Sequence, residues 1–167
     1  MFRKMRRAKQ LLPDELTEQI LKNRTTGILG VSGDDGYPYT VPLNYVYENK
    51  TIYFHCAKTG HKLDAIKNNS KVSFCVIDKE DIIPEEFTAH FRSVIAFGNA
   101  SEVVDNDEKL QIMRILNKKY APGLDEAGER EIKREWSILC VIKIRVEHMT
   151  GKEAIELVRK RNDSVEQ

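Results

Sequence analysis

IYFHCAKTGHKLDAI, at residues 52–66, changes its periodicity halfway along. Ile52, Phe54 and Cys56 alternate with Tyr53, His55 and Ala57, and the run is rich in aromatic and β-branched side chains, so it predicts a strand. Lys58-Thr59-Gly60 breaks it. The following eight residues, 61–68, predict a short helix, with Thr59 as its N-cap and Leu63 and Ile66 on its apolar face. His61 and Lys62 then fall in the first turn, where the helix dipole is positive and acidic side chains are expected. Asp64 offsets this only in part. A phosphate would resolve the conflict, because free backbone N–H groups, a glycine that permits close approach and two basic side chains would converge on it. A connecting helix with a solvated lysine is the other reading, and the local sequence leaves both open.

Upstream, residues 3–9 form a basic arm, read as a solvated tail or as a segment that clasps a partner. Residues 13–23 predict a helix, with Pro13 in its first turn and Leu16, Ile20 and Leu21 on one face. Residues 26–32 and 39–47 predict a hairpin around Gly33-Asp34-Asp35-Gly36. Pro42 cannot donate a ladder hydrogen bond, so the second strand needs an edge position or a bulge there. Downstream, strands are expected over 71–78, 86–104 with a bend at Gly98, and 136–148. Helices are expected over 106–120 and 125–134, with a short last one from Thr150 or Gly151 to about 159. Residues from Arg161 onward read as a frayed tail. Six strands joined mainly by short turns, with one helical insertion, predict an α+β chain built on a closed or nearly closed antiparallel barrel.

At 167 residues, one domain with a real core is expected. A net charge of +1 gives no electrostatic case for nucleic acid. No apolar run reaches the length of a membrane span, and the basic N-terminus lacks a signal-peptide core, so a cytoplasmic protein is expected. Cys56, Cys75 and Cys140 are widely spaced in strand-like segments and read as buried thiols. Metal-ligand spacing is absent, and alternation points His55 and Cys56 to opposite faces, so neither a zinc site nor a Cys–His nucleophile is expected. Trp136 is read either as a cap on the core or as a cover for a planar cofactor.

The chain resembles the flavin-binding split-barrel proteins related to pyridoxamine 5′-phosphate oxidase, and within them the nitroimidazole-resistance branch. The likeness spans residues 5–159. It is carried by Tyr37-Pro38-Tyr39-Thr40-Val41-Pro42-Leu43-Asn44-Tyr45, by Tyr53-Phe54-His55-Cys56-Ala57 with Thr59-Gly60-His61-Lys62, by Arg92-Ser93-Val94 with Gly98, and by Met149-Thr150-Gly151-Lys152. The resemblance implies a six-stranded antiparallel split barrel with flanking helices, and FMN as cofactor. It lays the flavin ring along Val41, Pro42, Leu43, Asn44, His55, Cys56 and Ala57, and the phosphate at Gly60, His61 and Lys62. It implies a homodimer with two sites at the interface, with Ser93 and Trp136 contributing from the facing part of the fold, in the same or the partner subunit. His55 matches a histidine beside the flavin and is the candidate catalytic proton donor. Arginines that would grip a substrate phosphate are missing, apart from Arg159 and Arg161 near the end. The resemblance therefore points away from pyridoxamine phosphate and toward reduction of small substrates such as nitroimidazoles. The alternatives are a flavin carrier or redox sensor, or a split barrel for haem or another cofactor.

Overall fold

The computed structural model describes residues 1–163. In chain order the elements are α1 (Asp14–Asn23), β1 (Thr26–Ser32), β2 (Pro38–Asn44), β3 (Val46–Glu48), β4 (Thr51–Ala57), α2 (His61–Asn68), β5 (Lys71–Ile83), β6 (Thr88–Glu102), α3 (Asn106–Tyr120), α4 (Asp125–Glu135), β7 (Leu139–Glu153) and α5 (Ile155–Asp163). The strands form one sheet in the order β2-β1-β5-β6-β7-β4-β3, and each pairing is antiparallel. The two edge strands, β2 and β3, are separated in the chain by Tyr45 alone. A sheet whose two edges are consecutive in sequence must curl until they meet, so the result is a barrel split at Tyr45.

The split raises the strand count from the expected six to seven, because the run 39–47 is two strands. Tyr45 is fully buried. Its N–H donates to the Tyr120 hydroxyl at 2.9 Å, and its carbonyl accepts from Lys119 Nζ at 3.1 Å. The backbone at Tyr45 is bonded to the end of α3 instead of to a neighbouring strand, so the ladder stops there. Pro42 pairs with Ile28 without a bulge and is tolerated because β2 is an edge strand.

Two irregularities bend the long strands. Asp78 is the extra residue of β5, between the pairs Ile77–Ser93 and Lys79–Arg92. The bend expected at Gly98 is present, but the extra residue, Glu147, belongs to the facing strand β7. A Cβ on Gly98 would lie 2.2 Å from the Arg145 carbonyl oxygen, so only glycine permits this approach.

Several expected boundaries move. β5 continues to Ile83, past the expected residue 78. Trp136 does not open a strand; it closes α4 in helical conformation, and β7 begins at Leu139. No helix starts at Thr150 or Gly151, because β7 stays paired with β6 through Ile95–Thr150, Val94–Gly151 and Arg92–Glu153. The expected fraying at Arg161 is also corrected. Arg161 lies in α5 and donates to Glu153 at 2.9 Å. Glu153 is fully buried and takes a second ion pair from Arg92, which also reaches Asp78. A buried carboxylate needs such partners, and this one pins α5 to the barrel. The rest of the expected tail, 164–167, lies outside the described residues. Within the basic arm, residues 3–9 are exposed apart from half-buried Met5, while Phe2 ahead of it stacks on His148 at 4.7 Å and on Phe97 at 5.6 Å.

Two apolar clusters result. One fills the barrel with Leu29, Tyr45, Ile52, Phe54, Phe74 and Ile142, closed by Leu21 of α1 and Leu63 and Ile66 of α2. The other lies where Ile112, Met113 and Leu116 of α3 and Ile132 of α4 cover Val46, Leu139 and Val141 of the sheet. Buried Lys109 ties the second cluster together, donating to the carbonyls of Trp136 at 3.2 Å and Leu139 at 2.9 Å.

Candidate functional site

The decisive local feature is the connection from β4 to α2. Gly60 holds φ 131° and ψ 162°, a conformation open to glycine and costly for side chains. Because the chain turns at Gly60, Gly60 takes the N-cap place expected for Thr59, and no side chain caps the helix. The Gly60 carbonyl accepts from the N–H groups of Leu63 at 2.9 Å and Asp64 at 3.2 Å. The first amides of α2 are thereby left to an outside acceptor at the positive end of the helix. Lys62 is half-buried and makes no ion pair among the described residues. The His61 ring is already engaged: it stacks on Tyr39 at 4.2 Å, and its Nε2 lies 3.5 Å from Asp34 Oδ2. Of the two basic side chains in this turn, Lys62 is therefore the one without a competing partner.

A cavity of about 670 Å³ opens between the end of β4 and the helical layer; its lining reaches Ala57 but not Gly60, His61 or Lys62. Its sheet wall is Asn44, His55, Cys56 and Ala57. Its other wall is apolar, built by Met113 and Leu116 of α3 and Ile132 of α4, with Glu131 and Arg134 at the rim. Gly128 lets the two helices close on each other, since a Cβ there would meet the Asn117 side chain at 2.2 Å. Asn117, Tyr120 and Glu135 add polar groups to this mainly apolar lining, and a cavity of this size and character suits a small-molecule ligand. Alternation predicts opposite faces for His55 and Cys56, yet both reach this one cavity because β4 ends at it.

Desolvation of its inner part lowers the pKa of His55, although the residue remains exposed at the cavity wall. Burial, and then the neighbouring Cys140 thiol, push the Cys56 thiol up to about 12, opposed by Lys62. Cys56 therefore rests as a thiol.

The other expected site residues divide by face. Pro42 and Asn44 are exposed on edge strand β2, while Val41 and Leu43 are half-buried against the barrel cluster. The Asn44 side chain donates to the Thr25 carbonyl at 2.9 Å. Ser93 sits opposite Lys152, far along β7 from the Cys56–Cys140 pair, and is not brought to this cavity. Trp136 packs in the α3–α4 cluster with Lys109 Nζ 4.2 Å above its ring. The sequence reading missed the apolar wall from α3 and α4. The amphipathic pattern of α3 shows an apolar face but not that its end stands over β4.

Structurally similar proteins include a candidate 5-nitroimidazole antibiotic resistance protein of Bacteroides thetaiotaomicron, 24% identical over 86% of each chain, with a TM-score of 0.69. The conserved hypothetical protein Rv2991 of Mycobacterium tuberculosis superposes with a TM-score of 0.78 over 90% of each chain at 15% identity. An FAD- and haem-binding protein of Mycobacterium smegmatis gives 0.72 at 15% identity, over 87% of this chain and 73% of its own. At these identities the likeness establishes the split-barrel fold. No curated protein matches the sequence. Residues 13–153 match the profile of the pyridoxamine 5′-phosphate oxidase family, and this chain belongs to that family.

Proposed function

We propose that this chain binds FMN and acts as a flavin-dependent oxidoreductase on small molecules, with nitroimidazoles and related nitroaromatics as the substrate class. The observation that carries this reading is the uncapped, glycine-initiated start of α2, where Lys62 makes no ion pair among the described residues, following directly in the chain on Ala57 and the lysine-threonine break at the wall of a mainly apolar cavity. An FMN phosphate fits there on charge and on free donors. Family membership and flavin binding in the M. smegmatis protein support the same reading. Lys62 and the first amides of α2 hold the phosphate, with the His61 side chain in a supporting place. The backbone at Pro42, Leu43 and Asn44 and the end of β4 hold the ring. Bound flavin supplies the electron transfer, and the protein supplies position, exclusion of water and protons. His55 is the candidate proton donor, from whichever of its nitrogens faces the substrate.

We further propose a two-fold homodimer. The outward face of β5 and β6 leaves Ile77, Ile95 and Phe97 exposed around Ser93, and Phe87 is almost fully exposed in the turn that joins these strands. Soluble monomers seldom leave such apolar area uncovered. In a dimer Ser93 would serve the site of the facing copy, which accounts for its distance from its own cavity.

The test is the absorption spectrum of the purified protein, followed by mass identification of the released cofactor. Flavin bands and the mass of FMN are expected. A Soret band with no flavin would replace the reading with haem binding, and FAD would move the phosphate argument to a diphosphate. A flavin-loaded protein with no turnover of any nitro compound by its reduced form would leave a carrier or sensor.

A further inference from the structure

The register of β4 against β7 sets Cys56 directly opposite Cys140. Directly opposed residues of an antiparallel pair have Cα atoms about 4.5–5.5 Å apart. That interval lies inside the roughly 4.4–6.8 Å that a disulfide spans. The two sulfurs are 3.5 Å apart, already in contact. Their environments differ. Cys140 is buried and its thiol lies 3.6 Å from the Ala57 carbonyl oxygen, whereas Cys56 lines the cavity. A small oxidant in the cavity meets one sulfur first, and the second waits behind it. The third cysteine, Cys75, sits on β5 opposite Ile28 and Ile95, without a thiol partner.

We propose that Cys56 and Cys140 form a reversible intrachain disulfide in the wall of the cavity, with a hydroperoxide as the oxidant. The Cys56 sulfur attacks the O–O bond of the peroxide. An S–O bond forms, the O–O bond breaks, and water or an alcohol leaves with the thiol proton. The Cys140 sulfur then displaces hydroxide from the Cys56 sulfenic acid, forming the S–S bond, and its own proton joins that hydroxide as water. Two thiols lose two electrons and the peroxide gains them. The high pKa of Cys56 leaves little thiolate at rest and makes the first step slow. The second step is fast by comparison, because the resolving sulfur is held in contact. The product ties the end of β4 to β7 beside His55 and replaces two thiols by an apolar bridge. The proposal does not need the flavin reading, since it rests on the β4–β7 register, the sulfur contact and the place of Cys56 in the cavity wall.

The experiment exposes the full-length protein, with any cofactor it carries as purified, to hydrogen peroxide. It is then denatured, its remaining thiols are alkylated, and its peptides are mapped by mass. The expected result is a linked peptide joining residues 56 and 140 with the loss of two hydrogens, Cys75 fully alkylated, and recovery of all three thiols after dithiothreitol. Cys140→Ser should abolish the link and leave a Cys56 sulfenic acid that dimedone captures, while Cys75→Ser should leave the link unchanged. The wild-type map alone overturns the proposal if Cys56 and Cys140 stay alkylatable under peroxide. It is equally overturned if Cys56 goes on to sulfinic acid without ever linking to Cys140.

Discussion

Lys62→Ala separates an anion site from a simple connecting helix. In the structure Lys62 stands in the first turn of α2 without an ion pair among the described residues, so removing it breaks no internal contact of that kind. Its loss should therefore be felt in ligand binding and hardly in stability. A hydrogen bond to a charged group contributes about 1.5–3 kcal/mol. Partial exposure of the side chain places the effect in the lower half of that range. At about 1.4 kcal/mol per factor of ten, FMN affinity should fall roughly tenfold to fortyfold. Riboflavin has the same ring and lacks the phosphate, so its affinity should change by less than about twofold, the scale of small surface effects. Titration of the apoprotein, followed by quenching of flavin fluorescence, measures both ligands under the same conditions. Added salt should narrow the wild-type preference for FMN, since exposed charges are screened. Equal losses for FMN and riboflavin would refute the placement of the phosphate at this turn.

His55→Ala should lower turnover of a nitroaromatic by about 10²–10⁴-fold with FMN affinity little changed; lost flavin affinity with turnover intact would make His55 a packing residue. If imidazolium is the donor, wild-type turnover should be full below the lowered pKa of His55 and fall as pH rises through it, and a profile flat across that region and unchanged in the variant would exclude the role. The same shift means that neutral His55 favours the fold, a contribution complete above pH 6.5 and lost as pH falls toward the folded pKa. Arg161→Ala should cost about 3 kcal/mol or less in a denaturant melt, because Arg92 still pairs with buried Glu153; no measurable change would mean that α5 is not held by this bridge. Sedimentation at micromolar concentration should show a dimer with two flavins, and a flavin-loaded monomer would remove the assigned role of the β5–β6 face.

Local patterns determined most elements of this chain and its most telling turn. Alternation in 52–57 and the break at Lys58-Thr59-Gly60 are properties of neighbouring residues, and so is the helix that follows. The missing N–H of Pro42 required an edge position or a bulge, and the order of the sheet chose the edge. Tertiary structure alone decided what depends on partners distant in the chain. Tyr45 divides one strand into two because its backbone bonds to Lys119 and Tyr120, more than 70 residues away. Gly151 stays in a strand because β6 pairs with it, against the local signal for a helix start. Arg161 is ordered because a buried glutamate needs its charge. The cavity needs α3 and α4 to stand over the end of β4, and the opposed thiols need the β4–β7 register. Periodicity shows which face of an element is apolar. What that face meets is set by closure of the sheet, and closure is a property of the whole chain.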